Sequence, residues 1–165
     1  MEIGAVAGTS LDGFCLIDAG VDAACNVNVF RQLTLGAGVG MRFSMPAEEH
    51  VDFFITSDSH GADLTKSYIS TVLMPVFGRI RYSLAPECYV QTDIGYRFGF
   101  YKKSSEVYFE PQLGAILFGR HSIAVGLIIQ NKSTPNTVVV DRYYSFESFT
   151  QAWRTAVFIK YGIFL

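Results

Sequence analysis

Nowhere in the 165 residues does an apolar run approach the roughly 18 to 20 residues of a spanning helix, so any passage through a membrane must use strands closed into a barrel. Charge is scarce as well. Only 17% of residues are charged while 50% are hydrophobic, low against the roughly quarter to a third of charged surface that a soluble domain takes. A non-aqueous exterior is favoured. There is no excess of positive charge: the net charge is -2, which argues against nucleic acid as a partner. Cys15, Cys25 and Cys88 are odd in number and lack C-x-x-C spacing, so neither a zinc site nor a complete disulfide framework is indicated. They read as free, apolar thiols. No basic n-region or apolar h-region follows Met1-Glu2, which for an exported barrel implies a mature or trimmed chain and for a soluble cytoplasmic protein is the native start.

What the chain has in abundance is alternation. In Tyr89 to Phe100, Val90, Thr92, Ile94, Tyr96, Phe98 and Phe100 fall on one face of a strand, and Gln91, Asp93, Gly95, Arg97 and Gly99 on the other. One face is greasy and aromatic; the other is charged or bare. A second clean case opposes Leu33, Leu35, Ala37, Val39, Met41 and Phe43 to Gln32, Thr34, Gly36, Gly38, Gly40 and Arg42. A helix fails here, because its three glycines would cost about 3 kcal/mol relative to alanine. Weaker alternation marks Glu2 to Gly8, and Cys15 to Ala23 sets its apolar positions against Asp18, Gly20 and Asp22. Further strands are expected at Ser70 to Ser83, Glu106 to Leu117, Ile123 to Gln130 and Trp153 to Leu165. Pro75 removes a ladder donor, so an edge, a bulge or a strand start is expected there. Residues 45 to about 68, and Lys132 to about Thr150, break periodicity and read as two long loops.

Eight strands of about ten residues have the length of tilted bilayer-crossing strands. The polar faces carry Glu2, Asp18, Asp22, Asp93, Glu106 and Glu110 against Arg42, Arg79, Arg81, Arg97, Arg154 and Lys160, six acids to six bases. A soluble exterior has no need of that balance. A sealed lumen does, because buried charges persist when paired and hydrogen-bonded. We therefore expect Asp18, Asp22, Arg42, Arg79, Arg81, Asp93, Arg97, Glu106, Glu110, Arg154 and Lys160 to form a charge network inside an all-β, eight-stranded, antiparallel up-and-down transmembrane barrel, with residues 1–165 as its single domain. Short turns after the second, fourth and sixth strands and long loops after the third and seventh fit periplasmic turns and extracellular loops, leaving both termini periplasmic. Outward aromatics fall near both rims: Tyr82 and Tyr161 toward the short turns, Phe43, Phe98, Phe100 and Trp153 toward the long loops.

The segments Leu33 to Phe43, Met74 to Tyr82, Tyr89 to Phe98, Phe109 to Gly114 and Ile159 to Leu165 together resemble the small eight-stranded outer-membrane barrels of Gram-negative bacteria, closest to an uncharacterised barrel family common in Bacteroides-like organisms. The resemblance covers most of the chain outside the two long loops. It implies a monomer in the outer membrane, with lipid and lipopolysaccharide as surroundings. The closing strand looks like the insertion signal read by the outer-membrane assembly machinery, with Leu165 in place of the usual final Phe.

Chemistry is suggested in one place, Thr56-Ser57-Asp58-Ser59-His60-Gly61-Ala62-Asp63, with His50 and Asp52 nearby. Ser, His and Asp could form a hydrolytic triad, as in the lipid A deacylases and acyltransferases that some small barrels resemble, but adjacency on a loop does not position one. Asp58, His60 and Asp63 are loose ligands for a divalent cation. An ordinary solvated loop is the expectation, with no catalytic residue, metal or cofactor. Tyr143, Tyr144, Phe146 and Phe149 form either a contact patch for a partner or packing of the second loop onto the rim. The expected role is structural, adhesive or surface-interacting, without an open pore or catalysis. The alternatives are a lipid A-modifying barrel enzyme and a soluble lipocalin-like barrel binding an apolar ligand.

Overall fold

A computed structural model describes residues 1–11, 17–45, 49–50, 65–66, 71–100, 105–141 and 144–165; for 49–50, 65–66, 71, 105, 132–141 and 144–152 it is the backbone that is described. The strands are β1 (Glu2–Ser10), β2 (Ile17–Asn28), β3 (Leu33–Met45), β4 (Glu49–His50), β5 (Thr65–Lys66), β6 (Thr71–Ala85), β7 (Cys88–Gly99), β8 (Ser105–Leu117), β9 (His121–Asp141) and β10 (Tyr144–Phe164). Eight of them close into an antiparallel barrel in the order β1-β10-β9-β8-β7-β6-β3-β2, while β4 and β5 pair with each other. Closure is made by β1, which pairs Glu2 with Phe164 on one side and with Ala24 on the other.

Where side chains are described, the wall strands follow the period of two. On β7, Tyr89, Gln91, Asp93 and Arg97 are buried while Val90, Ile94, Tyr96 and Phe98 are exposed. An eight-stranded lumen is just wide enough to be filled by side chains. Here it holds two small apolar clusters, Val6–Ile128–Phe158 and Ala24–Phe77–Tyr108, among the buried polar groups. Glycines on the inward face make room for the large rings. A Cβ on Gly38 would lie 2.4 Å from Phe77 Cζ, and one on Gly114 would lie 2.3 Å from Tyr89 Cζ.

Two expectations are corrected, at Pro75 and in the second long loop. Pro75 lies within β6, in a closed wall with no edge, and the register runs through it without a shift. Between β3 and β6 the paired residues pass from Val39↔Val76 to Arg42↔Leu73, leaving the rungs at Gly40 and Met41 unmade. Ser83 donates to the Gln32 carbonyl, so alternate amides of β6 address β3, and Pro75 occupies a position where that donor is missing. Pro111 on β8 opens the same two-rung gap against β9, between Phe109↔Ile129 and Gln112↔Gly126. The first long loop contains the β4–β5 ribbon, Glu49↔Lys66 and His50↔Thr65. The second is no loop: β9 and β10 run on through it as one paired hairpin up to Tyr144↔Asp141.

At one end of the barrel lie the chain termini and the short turns Val29–Gln32, Pro86–Glu87 and Phe118–Arg120. Leu165 donates its N–H to the Met1 carbonyl at 2.9 Å, fastening the ends together. Phe118 and Gly119 both take positive φ, 52° and 69°, which lets β8 reverse into β9 while Arg120 N donates to the Leu117 carbonyl at 3.3 Å.

Candidate functional site

The inward positions of eight strands bring charge from across the whole chain into one column. Ten of the expected residues, Asp18, Asp22, Arg42, Arg79, Arg81, Asp93, Arg97, Glu106, Glu110 and Lys160, are buried inside the barrel, and Arg154 is half-buried at the mouth opposite the short turns. Local register explains some of the pairs. Arg79 lies across from Asp93 on adjacent strands and holds it with two parallel bonds, Nε to Oδ1 and Nη2 to Oδ2, both 2.8 Å. Arg97 lies directly across from Glu106 on β8.

Others, Glu2 with Arg79 and Arg81 and Asp22 with Lys160, join strands that are not neighbours, and no local pattern anticipates them. Glu2, which entered the charge balance but not the expected network, is the hub of the short-turn half. Its Oε2 accepts from Arg79 Nη1 at 2.7 Å, Arg81 Nη2 at 2.6 Å and Asn26 Nδ2 at 3.1 Å, and its Oε1 from Ser122 at 3.4 Å. Asp22 binds Lys160 Nζ at 2.7 Å and Arg42 Nη2 at 2.9 Å. Asp93 and Glu110 face each other as like charges across β7 and β8. Cations on both sides offset that repulsion: Arg79 holds Asp93, and Arg97 Nη2 donates to Glu110 at 2.6 Å. Aromatic faces complete the coordination of the guanidiniums, with Arg81 over Tyr89 at 4.3 Å and Arg97 over Tyr108 at 4.6 Å.

The glutamines on the same face were not expected as members either. Gln91 accepts from Arg81 Nε at 2.6 Å, and Gln130 accepts from Arg97 Nη1 at 2.7 Å. Their inward parity was legible; their role was not, because neutral amides carry no charge to balance. Near the mouth, Asp18, Arg97, Glu106, Gln130 and Arg154 line a cavity of about 20 Å³, room for about one water molecule. The lumen is filled by these side chains, which hold one another in place through ion pairs and hydrogen bonds.

Outside, the polarity is reversed. Met41 is 57% exposed, Ile94 48%, Tyr96 49% and Ile159 61%, and such side chains cover the wall on all eight strands. At the short-turn rim Tyr82 donates its hydroxyl to Gln32 Oε1 at 2.7 Å and the Tyr161 hydroxyl sits 2.6 Å from His121 Nδ1. Phe43, Phe98, Phe100 and Trp153 are exposed toward the other end. Cys25 and Cys88 are free and exposed; Cys15 lies outside the described residues. So do Asp52, the whole Thr56 to Asp63 run with His60, and Tyr143, while the backbone of Tyr144, Phe146 and Phe149 belongs to β10.

Fold and face chemistry together define a closed, eight-stranded, up-and-down β-barrel whose inside is ionic and whose outside is apolar. No family model matches the chain, and no curated protein sequence does. A solved structure described as "De novo design of transmembrane beta-barrels" is similar at a TM-score of 0.44 and 14% identity, over 98% of this chain and 92% of that one.

Proposed function

We propose that this chain is an integral outer-membrane barrel with a structural, adhesive or surface-interaction role, of the kind found in Gram-negative, Bacteroides-like bacteria. The observation that carries the reading is the inverted polarity. Leaving a large apolar side chain in water forfeits about 1.5 to 3 kcal/mol of burial, and soluble monomers rarely expose continuous apolar patches beyond a few hundred Å². Here the apolar surface runs around the entire wall, between rims marked by tyrosine, phenylalanine and tryptophan. Lipid is the solvent that fits it.

In this reading the short turns and both termini are periplasmic, and the β9–β10 hairpin stands outside the cell. The ion pairs and aromatic stacks act as a plug, so the barrel conducts nothing and catalyses nothing. Lipid and lipopolysaccharide are its surroundings, and the assembly machinery inserts it as a monomer. A soluble lipocalin-like carrier is disfavoured, since its lumen needs apolar room for a ligand and this one is filled with arginine and carboxylate. Purification tests the proposal: the protein should be monodisperse in detergent micelles and aggregate when detergent is withdrawn. A monodisperse, detergent-free monomer would overturn it. For the lipid A-modifying alternative the readout is mass spectrometry of lipid A incubated with the barrel; an acyl chain gained or lost with the wild type and unchanged with His60→Ala would establish an enzyme.

A further inference from the structure

β9 and β10 each span 21 residues, against 9 to 15 in the other strands of the wall. The excess lies beyond the mouth. β8 pairs with β9 no further than Val107↔Asn131 and β1 with β10 no further than Ser10↔Ala156, while the β9–β10 ladder continues from Lys132↔Ala152 to Tyr144↔Asp141. At about 3.4 Å per residue the ribbon extends about 30 Å above its neighbours.

The two edges of this ribbon differ. In an antiparallel ladder, alternate residues turn both backbone groups to one neighbour and the rest turn theirs to the other. On β10, Phe164 N–H goes to Arg120 on the β9 side, Leu165 N–H goes to Met1, and the Thr155 carbonyl accepts from Leu11. Odd-numbered residues of β10 therefore address the β1 side. Carried upward, Ser145, Glu147, Phe149, Gln151 and Trp153 direct their N–H and C=O groups to an edge along which no strand follows among the described residues. On β8, Ile116 N–H goes to Glu87 in the turn just before β7, so the odd residues of β8, and in return those of β9, face each other. Pro135 is one of the latter, and its missing donor interrupts the free edge of β9. Residues 144–153 contain no proline and no glycine, and Glu147 is the single charge before Arg154. One edge is blunted; the other is open among the described residues.

We infer that the β10 edge above the barrel mouth is a docking strip for an extended peptide segment of a water-soluble partner, which joins the ribbon as a third strand. This deepens the surface-interaction reading and rests on it. A row of N–H and C=O groups repeating about every 7 Å is matched by another extended backbone and not by a sugar or an acyl chain. A second copy in the same membrane fits poorly, because rotation about the membrane normal brings two β10 edges together as parallel strands with Glu147 near Glu147. The partner strand carries a basic residue opposite Glu147.

The test uses the whole barrel in micelles and a fluorescein-labelled ten-residue peptide of alternating threonine and valine with a central lysine, read by anisotropy. A second peptide of the same sequence is N-methylated at every other residue. Binding is expected for the first peptide and not for the second. Gln151→Pro deletes one open-edge donor and leaves the rungs to β9 intact, so it should weaken binding about tenfold or more. Thr137→Pro, on the interrupted edge, should leave binding unchanged. Equal binding of the N-methylated peptide, no binding by folded wild type, or equal loss from both proline variants overturns the inference; if Gln151→Pro does not fold, the two peptides still decide. Detergent-free solubility would sink the membrane reading alone, since the peptide result is read independently.

Discussion

Glu2 is the residue on which the short-turn half of the lumen depends, because two guanidiniums converge on one of its oxygens. Removing one partner of a buried ion pair leaves an uncompensated charge and costs about 3 to 5 kcal/mol. Glu2→Leu should therefore lower unfolding stability in micelles by that amount, measured by denaturant titration, whereas Glu87→Gln in the exposed turn should change it by less than about 0.5 kcal/mol. Gly38 makes a steric prediction. An added methyl meets the Phe77 ring, so Gly38→Ala should cost about 1 to 3 kcal/mol by overpacking. The cost should shrink in Gly38→Ala/Phe77→Leu; strict additivity in that double-mutant cycle would show that the two residues do not meet.

Single strands carry their own consequences. Pro111 leaves β8 short of a donor toward β9 in the middle of the wall. Pro111→Val should restore it, adding about 0.5 to 1.5 kcal/mol and a slowly exchanging amide at position 111 in hydrogen–deuterium exchange. A fast amide there would mean that the gap has another cause. The β9–β10 ribbon makes the opposite case, since above Asn131 its two strands pair with each other alone among the described residues. Replacing residues 134–150 by an Asn-Gly turn should leave the barrel's unfolding free energy within about 1 kcal/mol of wild type. A large loss would show that the ribbon braces the wall.

For the molecule as a whole, the proposed membrane reading gives the apolar wall and its rims a position in the bilayer. Trp153 is the sole tryptophan, 67% exposed and at the end of the wall away from the short turns. Aromatic rims sit at headgroup level. In liposomes its fluorescence should be quenched more by lipids brominated near the carbonyl than by lipids brominated at the chain terminus. The reverse order would place Trp153 in the bilayer centre and shift the barrel by half its height.

The division of labour between sequence and fold follows burial. Wherever one face of a strand meets lipid or solvent and the other meets a crowded lumen, the period of two is written into the residues. Eight strands, their inward and outward sets and the balance of six acids with six bases were legible for that reason in Leu33 to Phe43 and Tyr89 to Phe100. The upper ribbon was not: among the described residues β9 and β10 pair there only with each other, so no neighbouring wall strand imposes the period of two, and Lys132 to Thr150 reads as loop although the two strands pair through most of it. Pro75 misled for a related reason, because barrel closure supplies neighbours on both sides that hold the register while two rungs are missing. Which acid meets which base across the lumen was decided by closure as well. Glu2 meets Arg79 and Arg81, 77 and 79 residues away, because an eight-stranded lumen is narrow enough for side chains of non-adjacent strands to meet, and that lumen exists only once β1 has joined β10.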